Sequence, residues 1–129
     1  MLVAIKDNGT VEPISTQTHE AEFRQWSRNL APVDFQNICA ALNAYIDDQG
    51  RGEIVTSSWV PGADWTDTPY QPIYHAVGES WEMARFFFGL IVWHVFMERP
   101  ETWSFGRYPK NPGETIGMTY FRVEVPSLR

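Results

Sequence analysis

Residues 80–99 read Ser-Trp-Glu-Met-Ala-Arg-Phe-Phe-Phe-Gly-Leu-Ile-Val-Trp-His-Val-Phe-Met-Glu-Arg, the most apolar stretch of the chain. Apolar side chains fall on every side of a helical wheel over residues 81–97, which predicts a helix buried on most of its faces. Pro100 predicts its end. The uninterrupted apolar run, 86–93, has only eight residues, whereas a membrane-spanning helix needs roughly 20. We therefore expect a core helix over about 79–99, with no membrane span.

Composition and charge limit the class of protein. The chain has 129 residues, 43% of them hydrophobic, which predicts one folded domain over 1–129. A net charge of −6 argues against general nucleic-acid binding, which needs Lys and Arg to displace counterions. Residues 1–98 carry 5 basic and 13 acidic side chains, a net −8. We interpret this part as a solvated acidic surface, or as a face that engages a basic partner or imitates a nucleic acid.

Cysteine usage and the start of the chain bear on location. Cys39 is the only cysteine, so no disulfide forms within the chain. It lies on the apolar face of a predicted helix, which favours a buried inert thiol over a nucleophile. The first residues lack the charged and apolar regions of a secretory signal. We therefore expect a cytoplasmic protein.

The first half of the chain predicts a hairpin followed by two helices. Asp-Asn-Gly at 7–9 separates two short apolar runs, at 2–5 and 10–14, and Asn-Gly in that position is a strong hairpin signal. Apolar residues at helical spacing then predict helices over about 17–29 and about 32–48. The second begins at a proline, which suits a first helical position.

The second half predicts strands on both sides of the long helix. High β-propensity indicates strands at 53–60 and 102–105, and alternation indicates a further strand at 116–125. Strands and helices do not alternate regularly along the chain. We therefore expect an α+β fold, with a mostly antiparallel sheet packed around the long buried helix and two further helices.

The sequence contains no specific catalytic or metal-binding motif. It has no glycine-rich phosphate loop, no Gly-x-Ser-x-Gly elbow and no His-Glu-x-x-His pair. His94 and Glu98 are four residues apart and share a helix face, as do His75 and Glu79 if a helix covers them. A metal site needs three or four ligands, and no further His or Cys stands at ligand spacing. We predict no metal or cofactor, leave enzyme activity open and favour a non-enzyme.

An aromatic segment around residues 61–72 is the best candidate site, because loops of that length in a compact domain are usually functional or disordered. Aromatic side chains are frequent in interfaces and in ligand pockets. Three interpretations stay open: the rings contact a protein partner or a second copy, they line a pocket for a planar ligand or a sugar, or they cap the core. The candidate residues are Trp59, Asp64, Trp65, Asp67, Tyr70, Tyr74 and His75.

A second candidate surface is basic. Arg and Tyr side chains together can hold an anion, although scattered solvated charges are the simpler interpretation. The residues are Arg99, Arg107, Lys110 and Arg122.

Two functions follow as expectations. The favoured one is a small acidic interaction or regulatory protein without catalysis, binding a protein partner or itself. The number of aromatic side chains exceeds what a small core readily hides, which predicts a homo-oligomer. The alternative is a small-molecule-binding domain or small enzyme whose pocket is closed by residues 61–75, with Asp67 and His75 as polar contacts.

Overall fold

The computed structural model of this chain describes residues 1–49, 54–55, 65–106 and 118–123. These residues form helices and strands in the following order: β1 Leu2–Ile5, β2 Val11–Ile14, α1 Glu20–Ser27, α2 Pro32–Gln49, β3 Ile54–Val55, α3 Gln71–Ala76, α4 Trp81–Glu98, β4 Trp103–Gly106 and β5 Thr119–Arg122. The remainder of the strand predicted at 53–60 lies outside the described residues.

The strands form one sheet in the order β2-β1-β4-β5-β3. The pairs β1–β2, β4–β5 and β3–β5 are antiparallel, and β1–β4 is parallel, with Leu2 opposite Trp103. The parallel pair arises because the chain makes its helices before β4 returns beside β1, and a crossover of that length is what parallel pairing requires. The α+β prediction with a mostly antiparallel sheet is confirmed, and the sheet is mixed.

The predicted hairpin joins β1 to β2. Gly9 has a φ of 84°, a conformation that costs glycine little because it has no Cβ. Its N–H donates to the carbonyl oxygen of Lys6 at 2.9 Å, and Asn8 Oδ1 accepts from Thr10 N–H at 3.0 Å. The Asn-Gly signal therefore identified the turn correctly.

The long helix α4 is the centre of the fold. Ser80 caps it, since its Oγ accepts from Met83 N–H at 3.4 Å. The helix contacts each of the other three helices and β1. On the sheet side, the Phe96 ring stacks on Tyr120 with centroids 4.0 Å apart and meets Trp103 edge-on at 4.9 Å. Of the helices in the described residues, none combines the length and the apolarity that crossing a bilayer requires.

Burial along α4 is uneven. From position 90 to 96 every side chain but His94 is buried, whereas a stripe in the first half is exposed. That stripe includes Met83 and Phe86, which are 46% and 40% exposed. The expectation of burial on most faces therefore holds for the second half and needs correction for the first.

Most described aromatic side chains lie in or against the core. Phe86 is the one aromatic residue among the large exposed hydrophobic side chains of the described segments. The core thus accommodates most of the aromatic surplus that motivated the oligomer expectation, and oligomerisation stays a prediction.

Candidate functional site

An open groove of about 700 Å³ lies between the start of α2 and residues 68–75. Ligand sites commonly have volumes of about 300–1,000 Å³, so its size suits a small molecule or a few residues of a peptide. Its lining comes from two segments of the chain, and more than half of the side chains are polar. The lining residues are Asn29, Leu30, Asp34, Asn37, Thr68, Pro69, Gln71, Pro72 and His75.

The first wall is the junction between α1 and α2, with the first turns of α2. Asp34 and Asn37 are three residues apart and therefore share a face of that helix. Asn29 fastens this wall to the opposite one, because its Nδ2 donates to the carbonyl oxygen of Ala76 at 2.8 Å. That bond fixes the separation of the walls at one end of the groove.

The second wall is a turn that leads into α3. Thr68 organises it: its Oγ1 donates to the carbonyl oxygen of Trp65 at 2.7 Å and accepts from Tyr70 N–H at 3.2 Å. Asp67 adopts a φ of 62°, and its N–H donates to Gln71 Oε1 at 3.3 Å. Local polar contacts therefore set the direction in which α3 begins and the side chains that it turns to the groove.

The predicted aromatic residues lie behind this wall and pack on α4. Trp65 is 2% exposed, and its ring meets Trp81 at 4.8 Å and Phe88 at 5.6 Å between centroids. Tyr70 meets Phe88 at 5.4 Å, and Tyr74 meets Trp81 at 6.0 Å. These rings are absent from the groove lining, and their arrangement is the one in which they cap the core. They anchor the wall on α4.

Two indole N–H groups in this aromatic cluster lack an acceptor. Within the described residues, Nε1 of Trp65 and Nε1 of Trp81 are buried and have no hydrogen-bond partner. By contrast, Nε1 of Trp93 donates to the carbonyl oxygen of Thr16, and Nε1 of Trp103 donates to Glu101, each at 3.2 Å. A buried donor without a partner costs about 1–3 kcal/mol.

The other predicted residues of the aromatic segment lie at the edge of the groove or outside the described residues. His75 lines the groove, and its Nδ1 lies 3.4 Å from Glu79 Oε1. Asp67 is exposed beside the groove without lining it. Trp59 and Asp64 lie outside the described residues. That these residues form a binding site stays a prediction.

Of the four residues of the basic candidate surface, two lie within the described residues. The Arg99 guanidinium donates to Glu101 at 2.7 Å, to Asn43 at 2.8 Å and to Asp47 at 2.5 Å, so acceptors within the chain already engage it. Arg122 lies over the Trp103 ring, 5.5 Å from its centroid. Arg107 and Lys110 lie outside the described residues.

Glu101 and Cys39 are among the ionisable groups outside the groove that have shifted pKa values. Burial alone would raise the pKa of Glu101, but hydrogen bonds from Arg99 and Trp103 outweigh it and lower that pKa below the ordinary glutamate value. Burial raises the pKa of Cys39 to about 11, so little of the reactive thiolate forms near neutral pH. This agrees with the interpretation of Cys39 as an inert thiol.

Sequence reasoning missed most of the groove. Asp34 and Asn37 stand at helical spacing near the start of α2. That pair of polar residues was the signal in the sequence from which this wall of the groove could have been predicted. Asn29, Thr68 and Gln71 become site residues only through the tertiary arrangement of α3 against the α1–α2 junction.

No group of three or more His, Cys, Asp or Glu side chains within the described segments is placed to hold a metal ion. Comparisons with models of protein families, with curated protein sequences and with solved structures found no match to this chain.

Proposed function

We propose that this chain is a small acidic interaction or regulatory protein of the cytoplasm, without catalysis of its own, which binds a segment of a partner protein. The binding surface is the groove between the start of α2 and residues 68–75. The observation that carries the proposal is the groove itself: polar side chains from both walls face an open volume of about 700 Å³. The aromatic residues support this surface from behind.

The groove is built on fixed elements, which favours binding. Asn29 bonds one wall to α3, and Trp65 and Tyr70 hold the other wall on α4 through ring contacts with Phe88. A site whose walls are already placed loses less conformational entropy when a ligand binds. The groove is therefore organised before the partner arrives.

The polar groups of the groove suit recognition better than nucleophilic chemistry. Asn and Gln side chains each carry a donor and an acceptor, as a peptide group does. The Thr68 hydroxyl already donates to the carbonyl oxygen of Trp65, and the raised pKa of Cys39 leaves its thiol unreactive near neutral pH. Amide-rich walls therefore support binding of a polypeptide segment.

Selection of displayed random 12-residue peptides on the full chain tests this proposal. Asn37→Trp places a large ring in the groove, and Gln36→Trp is the matched control, since Gln36 is an exposed residue of α2 outside the lining. We expect peptides that bind the wild type and the Gln36→Trp variant but lose binding to the Asn37→Trp variant. If every selected peptide binds both variants equally, the groove is not the binding surface.

A small polar molecule is the second candidate for the same groove, because its volume lies within the range of ligand sites. A thermal-shift screen of nucleotides and sugars distinguishes the two. A true ligand raises the melting temperature by mass action, and that rise should vanish in the Asn37→Trp variant. A groove-dependent rise without groove-dependent peptides would favour the small molecule.

A further inference from the structure

We infer that the groove selects a basic residue, Lys or Arg, in the partner segment, and that the Asp34 carboxylate is its counterion. This inference rests on the proposed function and adds the chemical class of the bound segment. It depends on three features of the groove: the charge of its lining, the availability of the Asp34 carboxylate and the hydrogen-bonding capacity of the neighbouring amides.

The lining of the groove carries negative charge. Its nine residues include one carboxylate, that of Asp34, and neither Lys nor Arg. His75 is the other ionisable residue of the lining, and its Nδ1 lies 3.4 Å from the Glu79 carboxylate, which adds a negative charge beside the groove. A cation entering the groove therefore meets a favourable potential, and the net charge of −6 on the chain strengthens it at longer range.

The Asp34 carboxylate is available to a ligand. Within the described residues it forms no ion pair and no side-chain hydrogen bond, and the side chain is only half-buried. It lies in the first turn of α2, the end of a helix at which the dipole interacts favourably with negative charge. A half-buried carboxylate in a concave surface interacts with a cation more strongly than one on an open surface, because water screens it less.

The amides around Asp34 can hold the backbone of a bound segment. Asn29 uses its Nδ2 on Ala76 and keeps Oδ1 as an acceptor. Gln71 uses its Oε1 on Asp67 and keeps Nε2 as a donor. Within the described part of the chain, the Asn37 side chain makes no hydrogen bond and retains both groups. Donors and acceptors on both walls match the N–H and C=O groups of a polypeptide, which a free cation lacks. The source of the cation is therefore a protein segment.

Titration of peptides into the full 15N-labelled chain tests the inference. The peptides are ten residues long, in a Gly-Ser background, with a central Arg, Lys, citrulline or Glu; citrulline is the neutral isostere of arginine. Nα-acetylarginine amide is the small-cation probe. The side-chain amide signals of Asn29, Asn37 and Gln71 report binding in the groove.

We expect the Arg and Lys peptides to bind about tenfold more tightly than the citrulline and Glu peptides, because a charge-assisted hydrogen bond is about twice as strong as a neutral one. Asp34→Asn should abolish this preference. Asp48→Asn is the matched control: it removes the same charge from an exposed position of the same helix outside the lining, and the preference should remain.

Equal affinity for the Arg and Glu peptides would overturn the inference, as would a preference that survives in the Asp34→Asn variant. Nα-acetylarginine amide binding as tightly as the Arg peptide would overturn the assignment to a protein segment. If the selected 12-residue peptides depend on the groove but carry no basic residue, the proposed function stands and this inference fails.

Discussion

The two ends of α4 differ in how completely their polar groups are paired. At the C-terminal end, Arg99 bonds to Glu101, Asn43 and Asp47, and Glu101 accepts in addition from Trp103. The Met1 amino group donates to the carbonyl oxygens of Arg99 and Glu101. At the N-terminal end, the indole N–H groups of Trp65 and Trp81 are buried and have no acceptor among the described residues.

This difference indicates that stability and binding are separated along one helix. The paired end joins α4 to α2 and to the sheet, and removal of Arg99 leaves the Glu101 carboxylate without its main donor. The other end supports α3 and the groove, where aromatic contacts hold the wall and polar pairing is incomplete. Departures from complete pairing are expected where a surface has a function beyond folding.

Loss of Arg99 should have the largest effect on stability. Its side chain is 9% exposed, and Arg99→Ala leaves Glu101 without its main donor. We expect the free energy of unfolding to fall by about 2–3 kcal/mol, less than for a fully buried pair because Asp47 is exposed. Urea denaturation followed by tryptophan fluorescence measures it.

Arg24→Ala is the control, since Arg24 forms an exposed pair with Glu20 at 2.6 Å. Such pairs contribute about 0.3–0.5 kcal/mol. Equal losses in the two variants would show that the C-terminal network is no stronger than a surface ion pair, and the proposed separation would fail.

The same network should make stability depend on acid pH. Because the pKa of Glu101 is lower in the fold than in the unfolded chain, its contribution is complete above the ordinary value of 4.5 and is lost as the pH falls through the folded pKa. Glu101→Gln should lower the free energy of unfolding at pH 7 by about 1–2 kcal/mol and flatten its decrease between pH 5 and pH 3. Denaturation curves across that range check this, and an unchanged slope would contradict it.

Paired substitutions of tryptophan compare the two ends directly. Trp103→Phe and Trp65→Phe remove the same volume from buried positions. Among the described residues, Trp103 has an acceptor to lose and the Trp65 donor has none. We expect Trp103→Phe to cost about 1 kcal/mol more in free energy of unfolding than Trp65→Phe. Chemical denaturation followed by circular dichroism measures both. A larger cost at Trp65 would mean that its N–H is satisfied in solution.

The fold could be predicted from sequence because its signals are local. Asn8-Gly9 specified the hairpin, Pro32 the start of α2, and the apolar run before Pro100 the long helix. The parallel pairing of β1 with β4 could not be predicted, since it depends on where the chain returns after its helices. The exposed stripe of α4 was missed because Met83 and Phe86 are apolar, although the charged Glu82 and Arg85 beside them were a signal of exposure.

The candidate site was only partly predictable. The sequence indicated the segment that forms one wall, including His75, because aperiodic loops rich in aromatic residues often have functions. It gave no direction for the rings, and Trp65 lies in the core. The opposite wall comes from Asn29, Asp34 and Asn37, which are distant in sequence from that segment. Their contribution depends on tertiary packing, which residue spacing does not report.

The smallest effect on stability is expected in the exposed stripe of the N-terminal half of α4. Phe86 is 40% exposed and packs edge-on against His19 at 5.0 Å and Trp26 at 5.7 Å. Because part of the ring is exposed, Phe86→Ser should lower the free energy of unfolding by about 1 kcal/mol, well below the roughly 3–5 kcal/mol for deletion of a buried Phe.

The same variant locates any self-association. If the predicted homo-oligomer forms through this stripe, sedimentation velocity at micromolar concentration should show an oligomer for the wild type and a monomer for Phe86→Ser. Ile5→Ser is the control, because Ile5 is 48% exposed but belongs to β1. An oligomer that survives Phe86→Ser and dissociates with Ile5→Ser would place the contact on the sheet. The N-terminal half of α4 would then serve the groove alone.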